Sequence, residues 1–198
     1  MRLVLASANP HKLDELAALL RDMPLTVEAA AAAGMHDFPE ETGGSFAENA
    51  LLKARACAAH TGRLSLGDDS GLMVDALDGF PGVHSNRWAG PGKTDAELNE
   101  LLLEKLRDVP PERRRARFVC AVAIVAPDGE GVVIGRYFAG VVADRPRGAG
   151  GFGYDPIMYL PERGLTVAEL SPDEKNRISH RAQAMTAAKE WLRDYLRL

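Results

Sequence analysis

Apolar residues fall along the chain in two recurrent patterns, and each predicts a kind of element. Short apolar-rich runs at residues 3–6, 64–66 and 118–126 predict strands, and residues 132–142 supply more strand, with Gly135 as a bulge or break. Spacing of i, i+3, i+4, i+7 predicts helices. The first carries Leu13, Leu16, Ala17 and Leu20; the second Ala47, Leu51, Ala54 and Ala58; the third Leu98, Leu101 and Leu102. A last stripe of Ile178, Ala182, Met185, Ala188 and Leu192 makes the chain end helical.

Polar and special residues punctuate this pattern where a boundary is needed. Asn9 is a good N-cap and Pro10 a good first helical residue. Ser45-x-x-Glu48 and Thr94-x-x-Glu97 read as capping boxes, Gly62 as a helix stop, and Pro110-Pro111 as the limit of the third helix. Pro127-Asp128-Gly129 reads as a turn, residues 29–33 as a connection, and residues 145–156 as a glycine-rich loop. Helices and strands mix without strict alternation and without repeats, which predicts an α/β protein with a mixed sheet, one domain over 1–198.

Composition narrows the function classes. The 198 residues are 46% hydrophobic and 26% charged, ordinary for a globular chain. A formal net charge of −4 speaks against a nucleic-acid partner, so a polyanionic ligand needs a local basic pocket. No run reaches bilayer-spanning length and the start lacks a secretory signal, so the expected setting is cytoplasmic with no membrane partner. Cys57 and Cys120 have neither the number nor the spacing of a disulfide framework or zinc site and read as small core residues. His11, His36, His60 and His84 also lack zinc-type spacing.

Five segments carry chemistry. Ser7-Ala8-Asn9-Pro10-His11-Lys12 is a strand-to-helix turn whose free N–H groups and Lys12 suit an anion, though an ordinary capped helix also accounts for it. Residues 40–53 pair the acids Glu40 and Glu41 with Asn49 and Lys53, which share a helical face; the acids are metal ligands or dipole-stabilising residues on a solvated turn. Gly67-Asp68-Asp69-Ser70-Gly71 reads as an acidic turn, where adjacent carboxylates repel unless a cation compensates. Magnesium, a hard cation that keeps waters and phosphates, suits such a site and the hydrolysis of a phosphoanhydride. Residues 150–156 combine glycines with Phe152 and Tyr154, a stacking surface for a base or a loop with tucked-in rings. Lys175 and Ser179-His180-Arg181 gather donors at the entry of the last helix. Arg113-Arg114-Arg115-x-Arg117 reads as a solvated segment.

Five motifs in order, SANPHK, EETGGSFAENALLKA, DDSGLMVDALDGFPGVHSNRWAG, GGFGYDPIM and EKNRISHRAQA, span nearly the whole chain. With them the chain resembles the inosine-triphosphate pyrophosphatase family, departing slightly at Gly67, where alanine is frequent, and in residues 127–135. The resemblance implies an elongated mixed sheet with flanking helices, two lobes around a central cleft, and a homodimer. It implies magnesium-dependent hydrolysis of ITP, dITP or XTP to monophosphate and pyrophosphate, which cleanses the nucleotide pool. By the same resemblance, Asp69 is the general base and a metal ligand, with Glu40 or Glu41 as the other metal carboxylate. Ser7, Ala8, Asn9, Pro10, His11, Lys12, Lys53 and Ser70 hold the phosphates. Phe152, Gly153, Tyr154, Asp155, Lys175, His180 and Arg181 hold sugar and base. Lysine and arginine only donate hydrogen bonds, so they match the 6-carbonyl of hypoxanthine or xanthine and mismatch the 6-amino group of adenine.

Overall fold

In the computed structural model residues 1–198 are described, apart from the side chains of Pro10 and His11. The strands are β1 (Arg2–Leu5), β2 (Thr26–Ala29), β3 (Leu64–Val74), β4 (Arg115–Val125), β5 (Gly131–Val142), β6 (Met158–Leu160) and β7 (Leu165–Thr166). The α-helices are α1 (Pro10–Leu19), α2 (Phe46–Thr61), α3 (Asp95–Lys105), α4 (Pro172–Ile178) and α5 (His180–Leu196). The strands form one mixed seven-stranded sheet in the order β2-β1-β3-β4-β5-β6-β7. β1 lies parallel to β2 and β3, with Leu3 opposite Leu64 and Leu5 opposite Leu66, and helical crossovers make such parallel pairing possible. β5, β6 and β7 are antiparallel neighbours.

The chain divides into two compact units, and β3, β4 and β5 each contribute residues to both. The first unit comprises Met1–Asp69, Cys120–Arg136 and Arg181–Leu198. Its core joins Leu3 and Leu5 of β1, Leu16 and Leu20, Val122 and Ile124 of β4, and Met185, Ala188 and Leu192 of α5. The second unit comprises Ser70–Val119 and Tyr137–His180, with a core of Leu72, Leu98, Leu102, Phe118, Ile157 and Met158. Cys57 packs with Val4, Ala6, Ala30 and Met35 in the first unit, a core thiol whose pKa burial pushes up. Among the described residues no helix is long and apolar enough to cross a membrane.

Helix starts follow the sequence closely. At α3 the Thr94 hydroxyl accepts from the Glu97 N–H while the Glu97 carboxylate accepts from the Thr94 N–H, a complete capping box. At α2 Ser45 accepts from the Glu48 N–H, but the Glu48 carboxylate reaches past it to the Gly44 N–H, so the reciprocal half is displaced by one residue. Gly62, left-handed at φ 63°, ends α2 as expected.

Tertiary context changes the pattern elsewhere. The segment read as an acidic turn is the interior of β3, an eleven-residue strand. Residues 26–29, given no element in the sequence reading, form edge strand β2, and residues 30–33 are one 3₁₀ turn closed by Gly34 at φ 91°. Gly135 is neither break nor bulge: β5 runs through it. The last stripe belongs to two helices, because Ser179, at ψ 152°, leaves the helical region between α4 and α5. Ile178 accordingly packs in the second unit and Met185 in the first. Arg114 is not solvated. Its guanidinium donates to the carbonyls of Leu106 at 2.9 Å and Val109 at 2.8 Å, satisfying the end of α3.

Candidate active site

In the first unit, two lysines and three carboxylates meet where β1 gives way to α1 and where β3 passes α2. Lys12, in the first turns of α1, donates to Asp68 Oδ1 at 2.8 Å, and its ammonium nitrogen lies 2.7 Å from Oδ2 as an ion pair. Asp68 is fully buried on β3. Burial alone would raise its pKa, but the charges of Lys12 and Arg181, the Lys12 hydrogen bond and the charge of Lys53 hold it below the ordinary carboxylate value. It is therefore a charged, committed partner of Lys12. The adjacent Asp69 points to the other side of the strand and meets α2. Asn49 donates from Nδ2 to Asp69 Oδ2 at 3.0 Å, and Lys53 Nζ stands 3.8 Å from Asp69 Oδ1. Lys53 also holds Glu41 at 2.6 Å.

The sequence builds this cluster by simple means. Asn49 and Lys53, one turn apart on α2, face β3 together. Gly67 allows the helix to sit close: a Cβ there would lie 2.4 Å from the Ala50 carbonyl oxygen and 2.8 Å from the Ala54 nitrogen. The Asn49 oxygen accepts from the Gly43 N–H at 2.8 Å, tying the loop that carries Glu41 to the helix that faces Asp69. Glu41 is half-buried and joined to the cluster, whereas Glu40 is exposed. Ser7 accepts from the Asn9 N–H at 3.1 Å, ordering the turn before α1, and Ala8 and Asn9 are exposed there. The side chains of Pro10 and His11 lie outside the described residues. Arg181, on α5 of this unit, meets Glu15.

The donors suit a hard divalent cation. Two carboxylates, Glu41 and Asp69, share one ammonium group, Lys53, which marks the place between them as favourable for positive charge. Among the described residues no group of three or more His, Cys, Asp or Glu side chains is disposed to hold a metal. A hard divalent cation that completes its shell with waters and substrate phosphates needs no more than so small a protein donor set.

In the second unit, the loop before β6 is fastened from several sides. The Asp155 carboxylate accepts from the Phe152 N–H at 2.8 Å and from Lys175 Nζ, and it is buried. Lys175 Nζ also lies 4.3 Å from the centre of the Phe152 ring. Phe152 itself is 55% exposed, the one large apolar side chain this loop presents. Tyr154 is turned inward. Its hydroxyl accepts from Trp88 Nε1 at 2.8 Å and donates to the Ser85 carbonyl at 2.7 Å, and burial pushes its pKa up to about 12. It holds the loop rather than offering a polar group outward. His180 stacks on Phe118 with ring centres 5.0 Å apart, and Ser70, half-buried, continues β3 in this unit. Sequence reasoning missed Asp95 and Asn99 as partners of this loop, and Trp88 as partner of Tyr154. Asn99 did carry a signal, a polar residue among the apolar positions of α3.

The model of the Ham1 family matches residues 3–191. The chain belongs to the Ham1 family. Its Ham1 relatives include the dITP/XTP pyrophosphatase of Geobacillus kaustophilus, 49% identical over 95% of this chain and 92% of that protein. The dITP/XTP pyrophosphatase of Geobacter sulfurreducens is 46% identical over 96% of each. A Ham1 protein structure from Coxiella burnetii superposes with a TM-score of 0.93 at 42% identity, covering 98% of this chain and 99% of that one. The mixed sheet with flanking helices is thus the Ham1 fold, and the Lys12, Lys53, Asp68 and Asp69 cluster lies within the matched Ham1 region.

Proposed function

We propose that this protein hydrolyses non-standard purine nucleoside triphosphates, dITP, XTP and ITP, to the monophosphate and pyrophosphate. The observation that carries the reading is the cluster of Asp69, Asn49, Lys53 and Glu41, in which a buried carboxylate has one oxygen fixed by an amide and a lysine nearby. The names of the relatives, dITP/XTP pyrophosphatases at 46–49% identity over nearly the full chain, support the substrate class.

In this reading Asp69 accepts the proton of the attacking water as the α–β phosphoanhydride breaks, and pyrophosphate leaves. Lys53 and Lys12, with the turn from Ser7 to His11 and with Ser70, neutralise and orient the phosphates. Glu41, rather than the exposed Glu40, joins Asp69 in holding a magnesium ion, which would polarise the phosphoryl oxygens and lower the pKa of a bound water. For the base, the exposed Phe152 offers a ring to stack on, while Lys175, His180 and Arg181 supply donors for a 6-carbonyl. Gly153, Tyr154 and Asp155 shape that loop. A buried donor left unpaired against a 6-amino group costs about 1–3 kcal/mol, enough for roughly tenfold or greater preference over adenine. A cytoplasmic homodimer acting on the free nucleotide pool completes the proposal.

Product analysis with magnesium and dITP, XTP, ITP, ATP, GTP or dTTP tests it. Pyrophosphate and monophosphate from the first three are expected, with activity lost on chelation and regained on adding magnesium. Orthophosphate as the product, preference for dTTP, or metal-independent turnover would refute it. Asp69→Asn should leave the fold intact and abolish turnover.

A further inference from the structure

We propose that Asp95 and Asn99 are positioning residues for base recognition, gripping both sides of Gly153 so that Phe152 is presented to the ligand. The proposal rests on the reading of the 152–155 loop as the base end of the site.

Both residues lie on α3, four positions apart and on one face. Asp95 Oδ2 accepts from the Gly153 N–H at 2.6 Å, and Asn99 Nδ2 donates to the Gly153 carbonyl at 3.0 Å. One helical turn thereby holds the N–H and the C=O of a single loop residue. Gly153 sits at φ 60°, a left-handed conformation open to glycine and strained for other residues. The neighbours on its two sides have opposite fates: Phe152 is 55% exposed and Tyr154 is 4% exposed. Asp155 fixes the Phe152 N–H and Lys175 lies against its ring, so the orientation of that ring depends on contacts around it rather than on core packing.

Asn99 adds a second observation. Its side chain is buried, it donates to Gly153, and its Oδ1 has no hydrogen-bond partner among the described residues. Leucine at this position would extend the apolar face of Leu98 and Leu102 without stranding an oxygen. The amide is buried for its donor, and that donor goes to the loop. The α3 capping box lies beside the grip, since Thr94 and Glu97 fix the helix start from which Asp95 reaches out.

The test measures amide hydrogen exchange at Gly153 and steady-state kinetics with dITP, for Asp95→Ala, Asp95→Asn, Asn99→Leu and, as control, Phe152→Ala. In Asp95→Ala, Gly153 exchange should accelerate and KM should rise, each by about tenfold, the scale of one lost charge-assisted hydrogen bond. Its kcat should stay within about twofold, because the Asp69 cluster is untouched. Asn99→Leu, which removes a neutral hydrogen bond, should raise KM about threefold or more; an unchanged KM there would remove Asn99 from the grip. Asp95→Asn keeps an acceptor and a capped helix, so it should fall between wild type and Asp95→Ala. Unchanged exchange would show that the grip is not made; faster exchange with unchanged KM would show that it does not serve recognition. Either result overturns the proposal. If Phe152→Ala also leaves KM unchanged, the base-end reading fails as well, whereas a raised KM in that control confines the failure to Asp95 and Asn99.

Discussion

Lys12 and Asp68 form an ion pair in which one partner has no exit to water. The Asp68 side chain is wholly buried, and removing one member of such a pair typically costs about 3–5 kcal/mol because a bare charge is left behind. Lys12→Met should therefore lower stability by about 3 kcal/mol at pH 7. The pH dependence identifies the cause. In the wild type the depressed Asp68 pKa contributes stability that is present above the ordinary carboxylate value and is lost as pH falls through the folded value. In the variant burial remains while the Lys12 charge and hydrogen bond are gone, so Asp68 takes up a proton at higher pH. The gap between the two proteins, measured by urea unfolding, should narrow as pH falls; a constant gap would place the cost elsewhere. Asn49 acts on Asp69 differently, by donating one hydrogen bond and anchoring Gly43. Asn49→Ala should reduce kcat about ten- to a hundredfold, the usual scale for losing a partner that orients a functional group. A kcat unchanged in a folded variant would deny it that role.

At the scale of elements, the starts of α2 and α3 were legible in the sequence because a cap is a local event: Ser45, Glu48, Thr94 and Glu97 act within one turn. β3 was not legible beyond its first residues. Gly67, Asp68 and Asp69 are poor strand formers, and their partners are remote: Lys12 is 56 residues from Asp68, and Asn49 is 20 from Asp69. The candidate site divides the same way. The residue types that bring Lys53, Asp69 and Phe152 to notice are visible in the chain, but the contacts of Asp95 and Asn99 with Gly153 and the pairing of Glu41 with Lys53 depend on which side chains meet. Arg114 shows the same limit. Within an arginine-rich run it looks solvated, yet its guanidinium satisfies two carbonyls at and beyond the end of α3, where a positive charge also suits the helix dipole. Arg114→Met keeps most of the stem and removes the donors, so stability should fall by about 2–3 kcal/mol with KM for dITP unchanged. A loss below about 0.5 kcal/mol would mean that water replaces the guanidinium without cost.

At the scale of the molecule, neither unit is a continuous piece of chain. The first is assembled from three segments and the second from two, and β3, β4 and β5 run through both. The core of the first unit needs β1 from the start of the chain, β4 from its middle and α5 from its end. A unit so assembled cannot complete its core until distant segments are in place, and β3, β4 and β5, where the chain leaves and re-enters it, also serve the other unit. Unfolding should therefore be one cooperative event over residues 1–198. The two tryptophans make this measurable, because each unit contains one. Trp88 hydrogen-bonds Tyr154 and packs edge-on against Phe80 in the second unit, while Trp191 stacks on Tyr195 in the first. Trp88→Phe retains a ring at the first position and leaves Trp191 as sole reporter; Trp191→Phe does the converse. Once each curve is referred to far-ultraviolet dichroism of the same variant, fluorescence and dichroism should share one midpoint and one slope in urea. Separate transitions for the two reporters would mean that the shared strands do not couple the units, and the single-domain reading would give way to two folding units within one sheet.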